Sequence, residues 1–341
     1  MMRLEIAPLV PVQASEAELR ECYAVEKSAF LADFPDRLFS PYQSYVEQLC
    51  QPTAFFGDQR IWIARANGEI AGIISVSFPE SENQKLTVTT VRVTPGVRRQ
   101  GIGSALLRAS LPETRANGRV VVTGQGLKAG EDGEKWAKAL GFRKVQEFVL
   151  QTLFVADVDP DSWNVPAPAG FQLKSWIGAA PQQLVSAYAR ARTAITDAPT
   201  GDSSLGFPEW TEERQRKHEA DIQALGYELR TVVALHESTG TVAGLTEMMI
   251  RNSRPDFAYQ QDTAVLSEFR GHGIGRFIKA GMMRRLVVDR PEIERVSTNT
   301  DAGNIHMIRV NHQVGYVTDN VVIDVEADVD VLDSKLADAG M

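Results

Sequence analysis

The sequence predicts an α/β protein in which one domain, a mixed sheet covered by helices, occurs twice in tandem. Three observations carry this reading. The chain matches itself: "GEIAGIISVS" at 68–77 aligns with "GTVAGLTEMM" at 240–249, setting Gly68, Ala71 and Gly72 on Gly240, Ala243 and Gly244 at an offset of 172. The same offset carries Val93 to Val265, Arg98 to Arg270 and "GIG" at 101–103 to "GIG" at 273–275. Near the end of each half "ALGF" (139–142) meets "QVGY" (313–316) at an offset of 174. A register shared over so long a stretch marks a duplicated unit. Each half also holds two apolar runs joined by a turn, at Asn67-Gly68 and Thr239-Gly240, which reads as a hairpin. Finally, each half passes from a strand pattern through a glycine-rich turn into a helical pattern.

The elements follow from local pattern. Each half opens on a strand, "RLEIAPL" or "FQLKSW", followed by two helical stretches at 15–32 and 41–50, or at 180–193 and 211–225. The hairpin comes next, then a further strand, "KLTVTTVRV" or "YQQDTAVL", that runs into the glycine turn. In the helix after Gly273, residues Ile274, Phe277, Ile278, Met282 and Leu286 recur at steps of three and four, so Lys279, Arg284 and Arg285 are expected mostly outward. One more strand, "GRVVVT" or "IERVSTNT", precedes a short helix ending at Gly141 or Gly315. The expected order is β-α-α-β-β-β-α-β-α-β in each half. Proline, glycine and acidic residues in "DVDPDSWNVPAPAG" place the join, giving domains at 1–157 and 170–328, a linker at 158–169 and a loose terminal helix in the tail 329–341.

Composition sets the class. With 341 residues, 43% hydrophobic and 23% charged, the chain suits two soluble domains. No apolar run approaches the ~20 residues that span a bilayer, and the first residues lack the order of a signal peptide. Cys22 and Cys50 show no metal or redox spacing and suit a reducing cytoplasm as small buried hydrophobes, so a cytoplasmic protein is expected; a monomer or homodimer is the expected assembly. The net charge of −8 argues against a nucleic-acid partner and is compatible with a cationic small molecule or peptide. No histidine pair has metal spacing, and no metal is expected.

The glycine turn carries the most specific information. A dinucleotide fingerprint needs G-x-G-x-x-G, yet the third position falls on Leu106 in one copy and on Arg276 in the other. Neither copy supplies the lysine and hydroxyl of a P-loop. What remains is R-x-x-G-x-G, as "RRQGIG" and "RGHGIG". Glycines without Cβ let successive backbone N–H groups converge on a pyrophosphate, and the helix behind adds its unpaired N–H groups and positive dipole end. A turn whose glycines only relieve backbone strain is the plainer alternative, weakened by the repetition.

On these residues the sequence resembles the GNAT N-acetyltransferase superfamily, in which R/Q-x-x-G-x-G/A after the fourth strand binds the acetyl-CoA pyrophosphate. "VRVTPGVRRQGIGSALL" and "TAVLSEFRGHGIGRFIK" both look like that motif. The second half is also similar to bacterial members with N-x-x-M-x-x-x-N before the terminal Gly-aromatic pair, and two such domains in one chain resemble the arrangement of mycothiol synthase and related tandem members. The resemblance implies two acyl-CoA N-acyltransferase domains using acetyl-CoA as co-substrate. Its cofactor-binding residues would be Val91, Arg92, Val93, Arg98, Arg99, Gln100, Gly101, Ile102, Gly103 and Ser104 in the first copy. In the second they would be Val265, Leu266, Arg270, Gly271, His272, Gly273, Ile274, Gly275, Arg276 and Asn304.

Acetyl transfer to an amine by direct attack needs a deprotonated amine, a polarised thioester and a served thiolate. Many relatives place a tyrosine four residues before the Gly of the terminal pair, whereas this chain has Ala137 and Asn311 there. Asn311, a poor helix former inside a helix, is the candidate polar group at the thiolate. Glu247, which replaces Ser75 of the first half, is the candidate base, with Asp262 and Tyr259 as rivals. The segment 196–221 differs most from its counterpart, as specificity elements often do; its acidic residues read as a solvated face, with attraction of a cation as the alternative. The reading is an acyltransferase acting on an amine of a small molecule or peptide, with the second domain catalytic. A catalytically silent acyl-CoA-binding scaffold, or catalysis in the first domain, are the alternatives.

Overall fold

A computed structural model of the chain describes residues 2–51 and 57–338. The first half contributes β1 (Leu4–Leu9), α1 (Glu16–Asp33), α2 (Tyr42–Cys50), β2 (Asp58–Ala66), β3 (Glu69–Phe78), β4 (Leu86–Val93), α3 (Ile102–Ala116), β5 (Val121–Lys128), α4 (Asp132–Ala139) and β6 (Arg143–Phe154). The second half repeats the order as β7 (Phe171–Ile177), α5 (Val185–Arg192), α6 (Glu212–Ala224), β8 (Tyr227–His236), β9 (Val242–Arg251), β10 (Phe257–Val265), α7 (Ile274–Asp289), β11 (Arg295–Asp301), α8 (Ile305–Val314) and β12 (Val317–Asp328), followed by α9 (Val329–Asp338). This is the mixed α/β architecture expected of both halves.

The chain folds into two compact units that are not contiguous in sequence. The first takes the residues up to Glu147, then Gly201–Gly206 and the chain from Val322 on; the second takes Phe148–Thr200 and Phe207–Val321. Each unit is therefore completed by a strand from the other half of the sequence. In the first, β1 to β5 lie side by side in chain order, and β5 pairs antiparallel with residues 322–328 of β12. In the second, residues 148–154 of β6 pair antiparallel with β11, which is followed by β10, β9, β8 and β7.

Among the described residues each unit has one parallel neighbouring pair, and it parts early. β4 and β5 are paired from Leu86↔Val121 to Thr89↔Gly124, although β4 continues to Val93. β10 and β11 are paired from Phe257↔Arg295 to Tyr259↔Ser297, although β10 continues to Val265. A wedge thus opens between the two strands just before each glycine turn. The units differ at one point here. β10 carries a bulge against β9 between Gln260 and Thr263, so that Gln261 and Asp262 oppose Glu247 alone. β4 runs against β3 without interruption.

Two helix–sheet layers hold each unit. In the first, Ile102, Leu106, Leu107 and Leu111 of α3 pack with Ile323, Val325 and Ala327 of β12, while Cys22 and Val25 of α1 pack with Ile61, Ile63 and Ile73 on a second cluster. In the second, Ile278, Met282 and Leu286 of α7 pack with Met248, Ile250 and Val296, and Val185 and Tyr188 of α5 pack with Val233 and Leu245. Lys279 departs from its outward expectation: it is 2% exposed, because α7 is enclosed over most of its circumference and the side chain lies over the Tyr316 ring. The tail is likewise not loose. Val329, Leu332 and Leu336 of α9 join the first unit's core, and a Cβ on Gly141 would meet Val331 at 2.8 Å. The segment after β6 does the same in the second unit: Trp163 is 1% exposed and donates from Nε1 to the Val314 carbonyl at 2.8 Å, and Val158 covers Gly315.

Candidate functional site

Both glycine turns fold alike, for reasons visible residue by residue. Gly101 and Gly273 stand at the N-caps of α3 and α7 with φ of +82° and +78°, a left-handed conformation that glycine adopts without steric cost. The helix N-termini consequently begin with free backbone N–H groups rather than a capping side chain. One turn before the cap the copies diverge. Gly271 has φ +81°, and its counterpart Arg99 is forced to +66°, costing on the order of 1 kcal/mol.

The motif arginines are anchors. Arg98 Nε donates to the Val93 carbonyl at 3.4 Å, and its guanidinium pairs with Asp33 at 2.9 Å. Arg270 repeats both bonds, donating from Nε to the Val265 carbonyl at 3.0 Å and pairing with Asp197. Each therefore clamps its turn to the end of the preceding strand. Arg92 is drawn to Glu26 of α1 at 3.6 Å. Burial raises the Glu26 carboxyl above its usual range, and Arg92 opposes that shift. Arg99, Gln100, His272 and Arg276 are exposed around the turns, and His272 Nδ1 lies 2.9 Å from the Arg270 carbonyl. Ile102 and Ile274 are buried beneath, while Val91, Val93, Val265 and Leu266 line the strand ends at the wedges.

Space above the turns differs between the units. A Cβ placed on Gly271, Gly273 or Gly275 would meet nothing within 4 Å, so the second turn presents an open cradle of the kind a pyrophosphate fills. In the first unit Gly101 is equally open, but the Trp136 ring lies 3.6 Å from where a Cβ on Gly103 would sit, and its Nε1 donates to Ser104 Oγ at 3.1 Å.

Glu247 is 1% exposed, with Oε1 accepting the Tyr188 hydroxyl and Oε2 paired with Arg192 Nη2 at 3.1 Å. Burial raises its carboxyl; Arg192 lowers it and Asp262 raises it further. Arg192 is itself 4% exposed, stacks on Trp210 with Cζ 3.4 Å from the ring centre, donates to Gln215 at 3.0 Å and reaches Asp262 at 3.3 Å. Asp262, with its side chain 37% exposed, is the solvent-facing carboxylate of this group and sits on the β10 bulge. Sequence reasoning named Glu247 but not Arg192 and Tyr188, which reach it from α5, nor Trp210, which stacks on Arg192 from the loop before α6.

Asn311 is 1% exposed. Its Nδ2 donates to Gln151 Oε1 at 2.7 Å and to Thr300 Oγ1 at 3.1 Å, and its Oδ1 is buried without a partner. Asn304 caps α8, accepting from Met307 N at 3.1 Å. Asn299 accepts from the Tyr259 hydroxyl at 2.9 Å. Part of the divergent segment lies elsewhere: Gly201–Gly206 belongs to the first unit, where the Ser204 N–H and hydroxyl each bond to buried Glu326 at 2.7 Å.

A parallel strand pair that parts ahead of a glycine-capped helix N-terminus is thus the feature both units share. The chain belongs to the acetyltransferase (GNAT) family, whose model matches residues 19–142 and 195–316, once in each half. It is accordingly an N-acetyltransferase of a family that uses acetyl-CoA as co-substrate and acts on amines. It is 25% identical over 259 residues to the mycothiol acetyltransferase of Mycobacterium avium (strain 104), covering 74% of this chain and 77% of that protein. In fold it is similar to a tandem GNAT protein from the clavulanic acid biosynthesis pathway, at TM-score 0.75 and 24% identity over 96% of this chain and 99% of that one. A GCN5-related N-acetyltransferase from Sphaerobacter thermophilus matches at TM-score 0.73 and 14% identity over 96% of both chains. Among the described residues no helix is long and apolar enough to cross a membrane.

Proposed function

We propose that the protein moves an acetyl group from acetyl-CoA to an amine of a small molecule or peptide by direct attack, and that the second unit is the catalytic one. The observation that carries this reading is the β10 bulge, which sets Asp262 at the wedge and ties it through Arg192 to Glu247. The corresponding positions of the first unit, Thr90 and Ser75, offer no carboxylate. Bulges recur beside active sites because they re-aim side chains.

In this reading the backbone N–H groups of residues 271–276 hold the pyrophosphate, Val265 and Leu266 flank the pantetheine arm, and Asn311 stands at its thiol end. The coenzyme, when bound, supplies the thioester. Asp262, the solvent-facing carboxylate, attracts a cationic amine and accepts its proton, while buried Glu247, engaged by Tyr188 and Arg192, fixes the Arg192 guanidinium that Asp262 also contacts. The first unit, with Arg99 in a strained turn and Trp136 against Gly103, keeps a CoA-binding or structural role.

Calorimetric titration with acetyl-CoA, paired with turnover on a panel of amines, tests the reading. Gly273→Glu is expected to abolish turnover and one binding event, and Gly101→Glu to spare turnover. Turnover that survives the change at 273 and is lost on the change at 101 would move the chemistry to the first unit. A silent acyl-CoA-binding protein draws support from the engagement of both Glu247 oxygens; binding without turnover on any amine would favour it.

A further inference from the structure

Gln151 stands in the first half of the sequence, yet it is 0% exposed within the second unit. Its Oε1 accepts both the Asn311 amide N–H at 2.7 Å and the Thr300 hydroxyl at 3.2 Å, while its Nε2 donates to Thr318 Oγ1 at 3.4 Å. Asn311 Nδ2 also donates to Thr300 Oγ1 at 3.1 Å, so both hydrogens of that amide are committed. Only its Oδ1 is left, buried and without a partner. Thr300 lies on the part of β11 beyond the last parallel pair, Tyr259↔Ser297, so the amide sits where the strands have parted.

An amide oxygen can only accept. In this orientation Asn311 offers an acceptor and no free donor, and because a buried acceptor left unmet costs about 1–3 kcal/mol, a donor that reaches it is favoured. The first unit has no equivalent, because Ala137 stands at the corresponding position.

We propose that Gln151 is a positioning residue of the second unit's acetyl-CoA cleft. It holds the Asn311 amide with nitrogen turned to the protein and oxygen left for the coenzyme. There Asn311 accepts a hydrogen bond from the thiol end of the pantetheine arm, either its amide N–H or the S–H of the departing coenzyme A. This rests on the assignment of the cleft made above. One half of the duplicated sequence thereby orients a ligand contact in the unit that the other half mostly builds.

The test compares wild type with Gln151→Leu and Gln151→Glu, measuring calorimetric affinity for coenzyme A and for desulfo-coenzyme A together with kcat and KM. Gln151→Leu, which frees the Asn311 amide to turn, is expected to weaken coenzyme binding about tenfold and to raise the KM for acetyl-CoA in step. The KM for the amine stays unchanged. Gln151→Glu keeps an acceptor for Asn311 and Thr300 and is expected to stay within about threefold of wild type. A purely structural role would instead lower the melting temperature and the active fraction while leaving the affinity of folded protein intact. Loss on both ligands assigns the contact to the pantetheine amide, and loss on coenzyme A alone assigns it to the thiol. If Gln151→Leu does not fold, Thr300→Val, which removes one acceptor of Nδ2, is expected to weaken binding in the same direction. A folded Gln151→Leu, or in its place Thr300→Val, with wild-type affinity for both ligands would overturn the proposal. Wild-type binding that is indifferent to Gly273→Glu would instead overturn the cleft assignment itself, and the role of Gln151 with it.

Discussion

Lys279 has no paired carboxylate among the described residues, and its ammonium faces the Tyr316 ring at 5.1 Å. Burial lowers it from 10.5 to about 7. The unfolded chain therefore binds more protons than the folded one between those values, and stability rises as pH rises through that window and is lowest below it. Replacing the buried charge by the residue of the first copy, as Lys279→Leu, should stabilise the protein at pH 7 by on the order of 2 kcal/mol. It should also flatten the rise between pH 7 and 10, as read from urea midpoints across pH. The repeat held the signal for this: Lys279 falls on Leu107, a core position, and only the helical wheel suggested an outward side chain. At the carboxylate cluster, Asp262→Asn is expected to lower kcat/KM by about a hundredfold or more without unfolding the protein, measured under saturating acetyl-CoA. An unchanged pH–rate profile in that variant would remove Asp262 from the reaction. Glu247 could be named because the two halves differ there, whereas Arg192 and Tyr188 come from α5, whose pattern shows only an amphipathic helix.

Among the elements, the glycine turns between strand and helix were legible from R-x-x-G-x-G, whereas the Trp136 ring over Gly103 and the left-handed Arg99 were not, since both lie outside what the two motifs share. Nor was the β10 bulge. A bulge adds no distinctive residue, and its alternation resembles that of an unbroken strand until the partner register is known. The terminal helix was read as polar because its apolar residues, Val329, Leu332 and Leu336, are thinly spread through an acidic stretch. They are nonetheless buried, so a chain ended after Asp328 should unfold several degrees earlier, with the loss falling on the first unit, as followed by hydrogen exchange in α3. Gly315, at φ +109° with Val158 2.6 Å from a would-be Cβ, sets a stricter condition on α8. Gly315→Ala is expected to cost about 1–3 kcal/mol in chemical denaturation.

For the whole molecule, the duplication could be read directly because glycines and hairpin turns keep register, while the exchange of strands could not. The apolar alternation of β6 and of β12 suits either sheet edge equally, and no residue type marks which partner a strand will take. The composition of the units implies that the halves 1–157 and 170–341, produced separately, lack a strand each and remain poorly folded, whereas mixing them restores acetyl-CoA binding. Two independently stable halves by circular dichroism would contradict this.

The same partition also orders events on the ribosome. Every segment of the second unit has been made by residue 321, whereas the first still waits for the strand at 322–328 and the helix after it. At about 5–20 residues per second that delay is short for the growing chain, but it reverses the usual sequence in which N-terminal domains mature first. The part of the protein translated earliest is the last to close.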